Sequence, residues 1–185
     1  MDNYNQIRLS LQRQYSFSDQ QVVLFYNKIS LKKLSKKSLL LKSGHICNFV
    51  SFIFKGSLRM HTCDQEIERT ISFFTENDWV ADFGSFVNQK PSTNAIIAME
   101  DTEVAIISIA NVHQLIADDP AFMILARLLD KWTEPVHHGS PELKYKNLML
   151  EHKEWIIRFP QRHLASYLGM APETFSRMKR KNLFS

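Results

Sequence analysis

Apolar positions along the chain change their period three times. From Tyr4 to about Lys28 they recur at helical spacing, with Ile7, Leu11 and Tyr15 followed by Val22, Val23, Phe25 and Tyr26. Ser18 stands where its hydroxyl can cap a helix beginning at Asp19, so two opening helices are predicted. From Leu31 to about Ile109 the period shortens to brief apolar runs separated by turn residues: SLLLKSG, NFVSFIFKGSLRMHT, RTISFFTENDW and NAIIAMEDTEVAIIS. Such runs predict the strands of an antiparallel barrel or jelly roll. Gly44 and Gly56 fall in turns, and FIFKGSLRM predicts two strands joined through Lys55 and Gly56. Helical spacing then returns. Asn111 is placed to cap a short helix, and Ala121 to Trp132, AFMILARLLDKW, predicts one longer helix that is apolar on more than one face. The two prolines and the glycine of Glu134 to Pro141, EPVHHGSP, predict a hinge.

The stretch from Gln161 to Lys181, QRHLASYLGMAPETFSRMKRK, predicts a helix, a tight turn and a second helix carrying basic residues. Leu164, Leu168, Met170, Phe175 and Met178 supply the apolar contacts, and Ala165 sits where two helices cross closest. Gly169 occupies the turn, where positive φ costs glycine least, and Pro172 fits the first helical turn, where its missing N–H is no loss. Glu173, Thr174, Ser176, Arg177, Arg180 and Lys181 are left for the outer face. Arginine pairs bidentately with guanine, a carboxylate accepts from cytosine N4, and flanking cations neutralise phosphates. Double-stranded DNA is therefore the expected partner.

These residues resemble the DNA-binding helices of the CRP/FNR superfamily of bacterial transcription regulators, and ETFSR, Glu173 to Arg177, is similar to the E-x-x-S-R signature of its FNR-like branch. The resemblance implies that Glu173, Ser176 and Arg177 read bases, with Thr174 and Arg180 on the sugar-phosphate backbone. It implies a homodimer through the helix Ala121 to Trp132, with two recognition helices one DNA turn apart on a palindrome, and RNA polymerase as a further partner. Pro172 departs from the cyclic-AMP receptor branch, which has arginine there. The sequence ends at Ser185, before the β-hairpin wing usual in the superfamily, so fewer phosphate contacts are expected. The implied fold is α+β: an antiparallel β-roll flanked by helices in residues 1–137, including the dimerisation helix, and a small wingless all-α helix-turn-helix domain in residues 138–185.

Charge agrees with this division. The chain carries a net charge of +4, but residues 141–185 hold 9 Lys and Arg against 4 Glu, leaving a slight acidic excess for the remainder. A basic terminal segment is the electrostatic footprint of phosphate attraction. A second cluster, Lys32, Lys33, Lys36, Lys37 and Lys42, is read as a solvated connection. No run approaches the roughly 18 apolar residues of a membrane span, and the polar N-terminus lacks a signal-peptide core, so a cytoplasmic protein is expected. Cys47 and Cys63 are expected as reduced thiols, too few for an iron–sulfur cluster. His137 and His138 have no further ligand at metal-site spacing. No catalytic constellation is present: Asp118-Asp119 and Glu66/Glu68 fall in expected caps and hairpin turns.

The strand-rich segment resembles the cyclic-nucleotide-binding roll of the same superfamily. In nucleotide-binding members a G-E pair faces the ribose and an R-S pair, about ten residues later, holds the phosphate. Along NDWVADFGSFVNQKPST, Ala81-Asp82 fall at the G-E site and Ser92-Thr93 at the R-S site. The arginine is missing, so cyclic AMP is not expected, although Thr93 retains a donor and Lys90 stands nearby. The candidate effector pocket is thus Asp82, Phe83, Ser92 and Thr93. Its aromatic surroundings are Phe52, Phe54, Phe73, Phe74, Trp79, Phe83 and Phe86, about half of which are expected to face away. The functional expectation is a sequence-specific regulator with a degenerate sensor. The alternative is a ligand-binding or protein-interaction module of the same fold that no longer binds DNA.

Overall fold

A computed structural model describes residues 2–64, 67–128 and 140–183, with backbone only at residues 14, 15, 63, 64, 67, 126–128 and 181–183. The opening helices are α1 (Asn3–Tyr15) and α2 (Asp19–Tyr26). Ser18 caps α2 as expected, and the Gln21 side chain completes a reciprocal capping box. Strands β1 (Ser30–Leu34), β2 (Leu39–Leu41), β3 (Phe49–Lys55), β4 (Leu58–Asp64), β5 (Ile67–Phe74) and β6 (Trp79–Val80) follow, then helix α3 (Phe83–Asn88) and strands β7 (Asn94–Ala98) and β8 (Thr102–Ser108). They form two four-stranded sheets, ordered β1-β8-β3-β6 and β2-β7-β4-β5.

Position in the first sheet explains each strand's composition. β3 pairs antiparallel with both β8 and β6 and is buried along five successive residues, Val50 to Phe54, because both of its faces are covered. Residues pointing to either face of β3 are therefore buried. Phe52, Phe54, Phe73, Phe74, Trp79 and Phe86 are all buried, and Phe83 is half-buried. Edge strand β1 is exposed over its first four residues, and its lysines discourage pairing with another edge. Lys33 stands directly opposite Glu103 and forms a 3.0 Å ion pair with it.

Trp79 joins the opening helices to this sheet. Its indole lies 4.9 Å from Phe52 with the rings tilted by 56° and meets Phe25 edge-on at 5.7 Å, while Nε1 donates to Ser10 Oγ at 2.9 Å. A large ring with a satisfied polar edge is well suited to such a three-way junction.

Two expectations after β8 need correction. The cap of helix α4 (Ile109–Asp118) is Ser108, whose hydroxyl accepts from the Asn111 amide. Asn111 instead uses its side chain to donate to Lys28 O at 2.8 Å. The second correction concerns the predicted long helix. Pro120–Leu128 is a 3-10 helix, and residues 129–132 lie outside the described set. Asp119 breaks α4 with an extended backbone, and its carboxylate accepts from the Ala121 amide, starting a tighter turn. Three residues per turn superimposes Phe122 and Leu125, both of which are buried. The predicted hinge falls mostly outside the described residues, but Ser140 caps helix α5 (Pro141–Glu151) with Pro141 in its first turn. Helices α6 (Trp155–Arg158), α7 (Gln161–Tyr167) and α8 (Pro172–Leu183) complete the described chain.

By internal contacts the chain divides into two compact units, Met1–Arg59 with Phe73–Trp132, and Met60–Ser72 with Thr133–Ser185. The outer part of the β4-β5 hairpin thus belongs with the C-terminal helices. Ser166 on α7 accepts from the Thr70 amide at 2.9 Å and donates to Glu68 O at 3.3 Å.

Gly56→Ala is expected to destabilise the protein by about 2 kcal/mol or more. At φ +93° its new Cβ would stand 2.5 Å from Thr102 Oγ1 and 2.7 Å from Asp101 O. Gly44→Ala, at φ +83° with nothing within 4 Å of the added atom, should cost only about 1 kcal/mol. Urea unfolding of the two variants measures the difference; equal losses would mean that close approach does not govern the β3-β4 turn.

Candidate nucleic-acid interface and effector pocket

The second unit is built around the contact of α7 with α8. Leu164, Ala165 and Leu168 on one side and Phe175 and Met178 on the other are buried, while Met170 is half-buried. Phe175 also meets Tyr145 of α5 edge-on at 5.5 Å. The turn has the expected geometry, with Gly169 at φ +65° and Pro172 opening α8. Lys144 reaches from α5 to donate from Nζ to Leu168 O at 3.2 Å, placing a cation on the carbonyl end of α7. Around α6, Trp155 stacks on His152 at 3.9 Å and meets Phe159 and Tyr167 edge-on.

Burial of Phe175 and Met178 sets the rotation of α8. At 3.6 residues per turn the opposite face carries Glu173, Ser176, Arg177 and Arg180. Glu173, Arg177 and Arg180 are exposed, whereas Thr174 and Ser176, nearer the flanks, are half-buried. Lys181 continues the helix, but its side chain lies outside the described residues. The six residues singled out by sequence thus lie along one helix. Its exposed face offers a carboxylate and two guanidiniums, groups that hydrogen-bond base edges and phosphates.

The predicted effector residues are arranged differently. Asp82 and Ser92 are buried, Phe83 is half-buried and Thr93 is exposed. Asp82 caps α3 by accepting from the Ser85 amide at 3.0 Å. Its other oxygen accepts from Ser92 Oγ at 2.6 Å and from Asn94 Nδ2 at 2.9 Å. Ser92 Oγ also receives the Asn94 amide at 2.9 Å. Asp82 and Ser92, expected from the resemblance at the ribose and phosphate positions, therefore hydrogen-bond each other. A cyclic phosphate requires a fixed cation at Ser92 and would meet the Asp82 carboxylate there instead. These residues do not fit a cyclic nucleotide. Lys90 is exposed and contributes its backbone carbonyl, which accepts from Ser85 Oγ at 2.6 Å.

Ser85 and Asn94 were not singled out from sequence, although their polar side chains beside a buried carboxylate are the available signal. Cys47 also belongs to this cluster. Its amide donates to Ser85 Oγ at 2.9 Å, and its thiol is buried and free of disulfide. Burial, the largest influence, pushes the Cys47 thiol up from its ordinary range, disfavouring the reactive thiolate. The Cys63 side chain, His137 and His138 lie outside the described residues. Among the described residues no helix is long and apolar enough to cross a membrane.

Comparison with known proteins agrees with this fold. Residues 31–119 match the family model of the cyclic nucleotide-binding domain, and the roll has that fold. No curated protein matches the chain in sequence. Among solved structures, FixK2 from Bradyrhizobium japonicum is similar at TM-score 0.69 and 15% identity, over 83% of this chain and 83% of that one. A protein described as a transcriptional regulator of the crp/fnr family from Eubacterium rectale is similar at TM-score 0.66 and 18% identity, over 96% and 87%. The Thermus thermophilus Catabolite Activator Protein is similar at TM-score 0.58 and 16% identity, over 93% and 85%. The chain therefore shares the α+β architecture of CRP/FNR regulators, and the family resemblance stands at the level of fold.

Replacing Ser92 by alanine should cost about 1–3 kcal/mol in chemical denaturation, because Asp82 loses a donor inside the protein. Thr93→Ala, exposed beside it, is expected to stay within about 0.5 kcal/mol. Similar effects of the two substitutions would contradict the closed Asp82-Ser92-Asn94 arrangement.

Proposed function

We propose that the chain is a sequence-specific DNA-binding transcription regulator of CRP/FNR type, in which α7 and α8 form the helix-turn-helix. The observation that carries this reading is the division of α8 into a buried apolar side and an exposed side bearing Glu173, Arg177 and Arg180. Arg177 is assigned to a guanine, Glu173 and Ser176 to neighbouring bases, and Thr174, Arg180 and Lys181 to the sugar-phosphate backbone. Functionally, residues 1–137 sense or scaffold and residues 138–185 bind DNA.

The sensor reading is a degenerate one. The Asp82-Ser92 hydrogen bond and the absence of arginine at position 92 support a roll that works without a cyclic nucleotide. The protein is assigned as a homodimer through the segment Ala121 to Trp132, where Met123 is 63% exposed and Ile124 half-buried, apolar surface available for that seam. Two-fold symmetry would present two α8 helices to a palindromic site, from which RNA polymerase is recruited or excluded.

Selection from random duplex DNA tests this reading. The parent should enrich a palindrome at near-physiological salt, and Arg177→Ala should lose about 1–3 kcal/mol at one base-pair class. Arg180→Ala should weaken binding across all sequences and flatten its salt dependence. No enrichment by the parent, together with no salt-dependent duplex binding, would leave the alternative: a module of this fold that does not bind DNA.

A further inference from the structure

The N-terminal unit contains an apolar cavity of about 230 Å³, separate from the Asp82-Ser92 cluster. It lies where α2, α3, α4 and the 3-10 helix meet the β1-β8-β3-β6 sheet, and Phe25, Trp79, Phe86, Ile109, Val112 and Leu125 line it. Protein interiors rarely keep voids larger than a water molecule. The Trp79 indole cannot serve an occupant as a donor, because its N–H is already given to Ser10. At the rim are Val87, 56% exposed, and His113, also exposed and the only ionisable side chain among the described lining residues. The cavity is therefore mainly apolar, with one ionisable side chain at its opening.

We propose that this cavity binds a small apolar ligand with one acidic or hydroxylic end, the hydrocarbon part against Trp79 and Phe86 and the polar end at the His113 imidazole. An apolar cavity of about 150 Å³ accepts benzene, so this larger one has room for about ten non-hydrogen atoms. A medium-chain carboxylic acid or alcohol has that size and that single polar end. Such a ligand would fill space that the roll's side chains leave empty, and would hold α3 and α4 against the sheet. The assignment is independent of DNA binding and does not use the cyclic-nucleotide positions.

Octanoate and octanol, titrated into the full chain and followed by methyl NMR at Ile107, Ile109, Val112 and Ile116, test it. Saturable shifts at these methyls are expected, with a rise in Tm of about 4 °C at tenfold excess over Kd. Val112→Phe fills the cavity and should weaken binding at least tenfold. Val87→Phe narrows the rim at an exposed site that does not endanger folding, and should do the same. His113→Leu should weaken octanoate several-fold. Unchanged methyl signals with both ligands would overturn the proposal, as would equal affinity in the parent and both phenylalanine variants. Unchanged octanoate affinity in His113→Leu would overturn the placement of the polar end.

Discussion

Burial of Phe175 is the constraint on which the C-terminal unit depends. Its ring is fully enclosed between α7 and Tyr145 of α5, and a buried aromatic contributes several kcal/mol that rotation of the helix would forfeit. Rotation of α8 is thereby fixed. Ala165 permits the helices to approach, Gly169 permits the turn, and Lys144 closes the carbonyl end of α7. Glu173, Arg177 and Arg180 are exposed as a geometric consequence: once Phe175 and Met178 point inward, the opposite face is determined.

The N-terminal unit follows the same logic with a different outcome at its polar centre. Trp79 locks α1 and α2 to the first sheet, which leaves α3 and α4 to complete the layer. Asp82, buried at the start of α3, must have donors, and it obtains them from Ser85, Ser92 and Asn94. In a roll that takes a cyclic phosphate an arginine would stand at position 92. Here a serine satisfies the neighbouring carboxylate, so the site is closed by its own side chains. An apolar cavity lies elsewhere in this unit, lined by Phe25, Trp79, Val112 and Leu125.

Much of this was legible in the residues, for identifiable reasons. The α7-turn-α8 pattern was readable because each constraint acts locally: alanine at a crossing, glycine at positive φ, proline in a first turn. Ser18 was readable for the same reason. Asn111 was misread because Ser108 and Asn111 are both good caps, and the choice between them depends on Lys28, 83 positions away, accepting the Asn111 amide. The tight helix after Asp119 was equally hidden, since the run from Ala121 suits α-helical and 3-10 spacing alike until Asp119 starts the turn. Continuous burial of Val50 to Phe54 was not legible as a period, because helices cover the outer face of the β3 sheet. The bond between Asp82 and Ser92 joins residues of opposite predicted roles, and only the folded chain reveals it.

The most direct test of the central claim is amide NMR of the full chain with a short random-sequence duplex at low salt. Shifts concentrated on residues 172–180, with the lysines at positions 32–42 unmoved, are the predicted result. Shifts confined to those lysines, or spread evenly over both basic regions, would contradict the assignment of α8 as the DNA-reading helix.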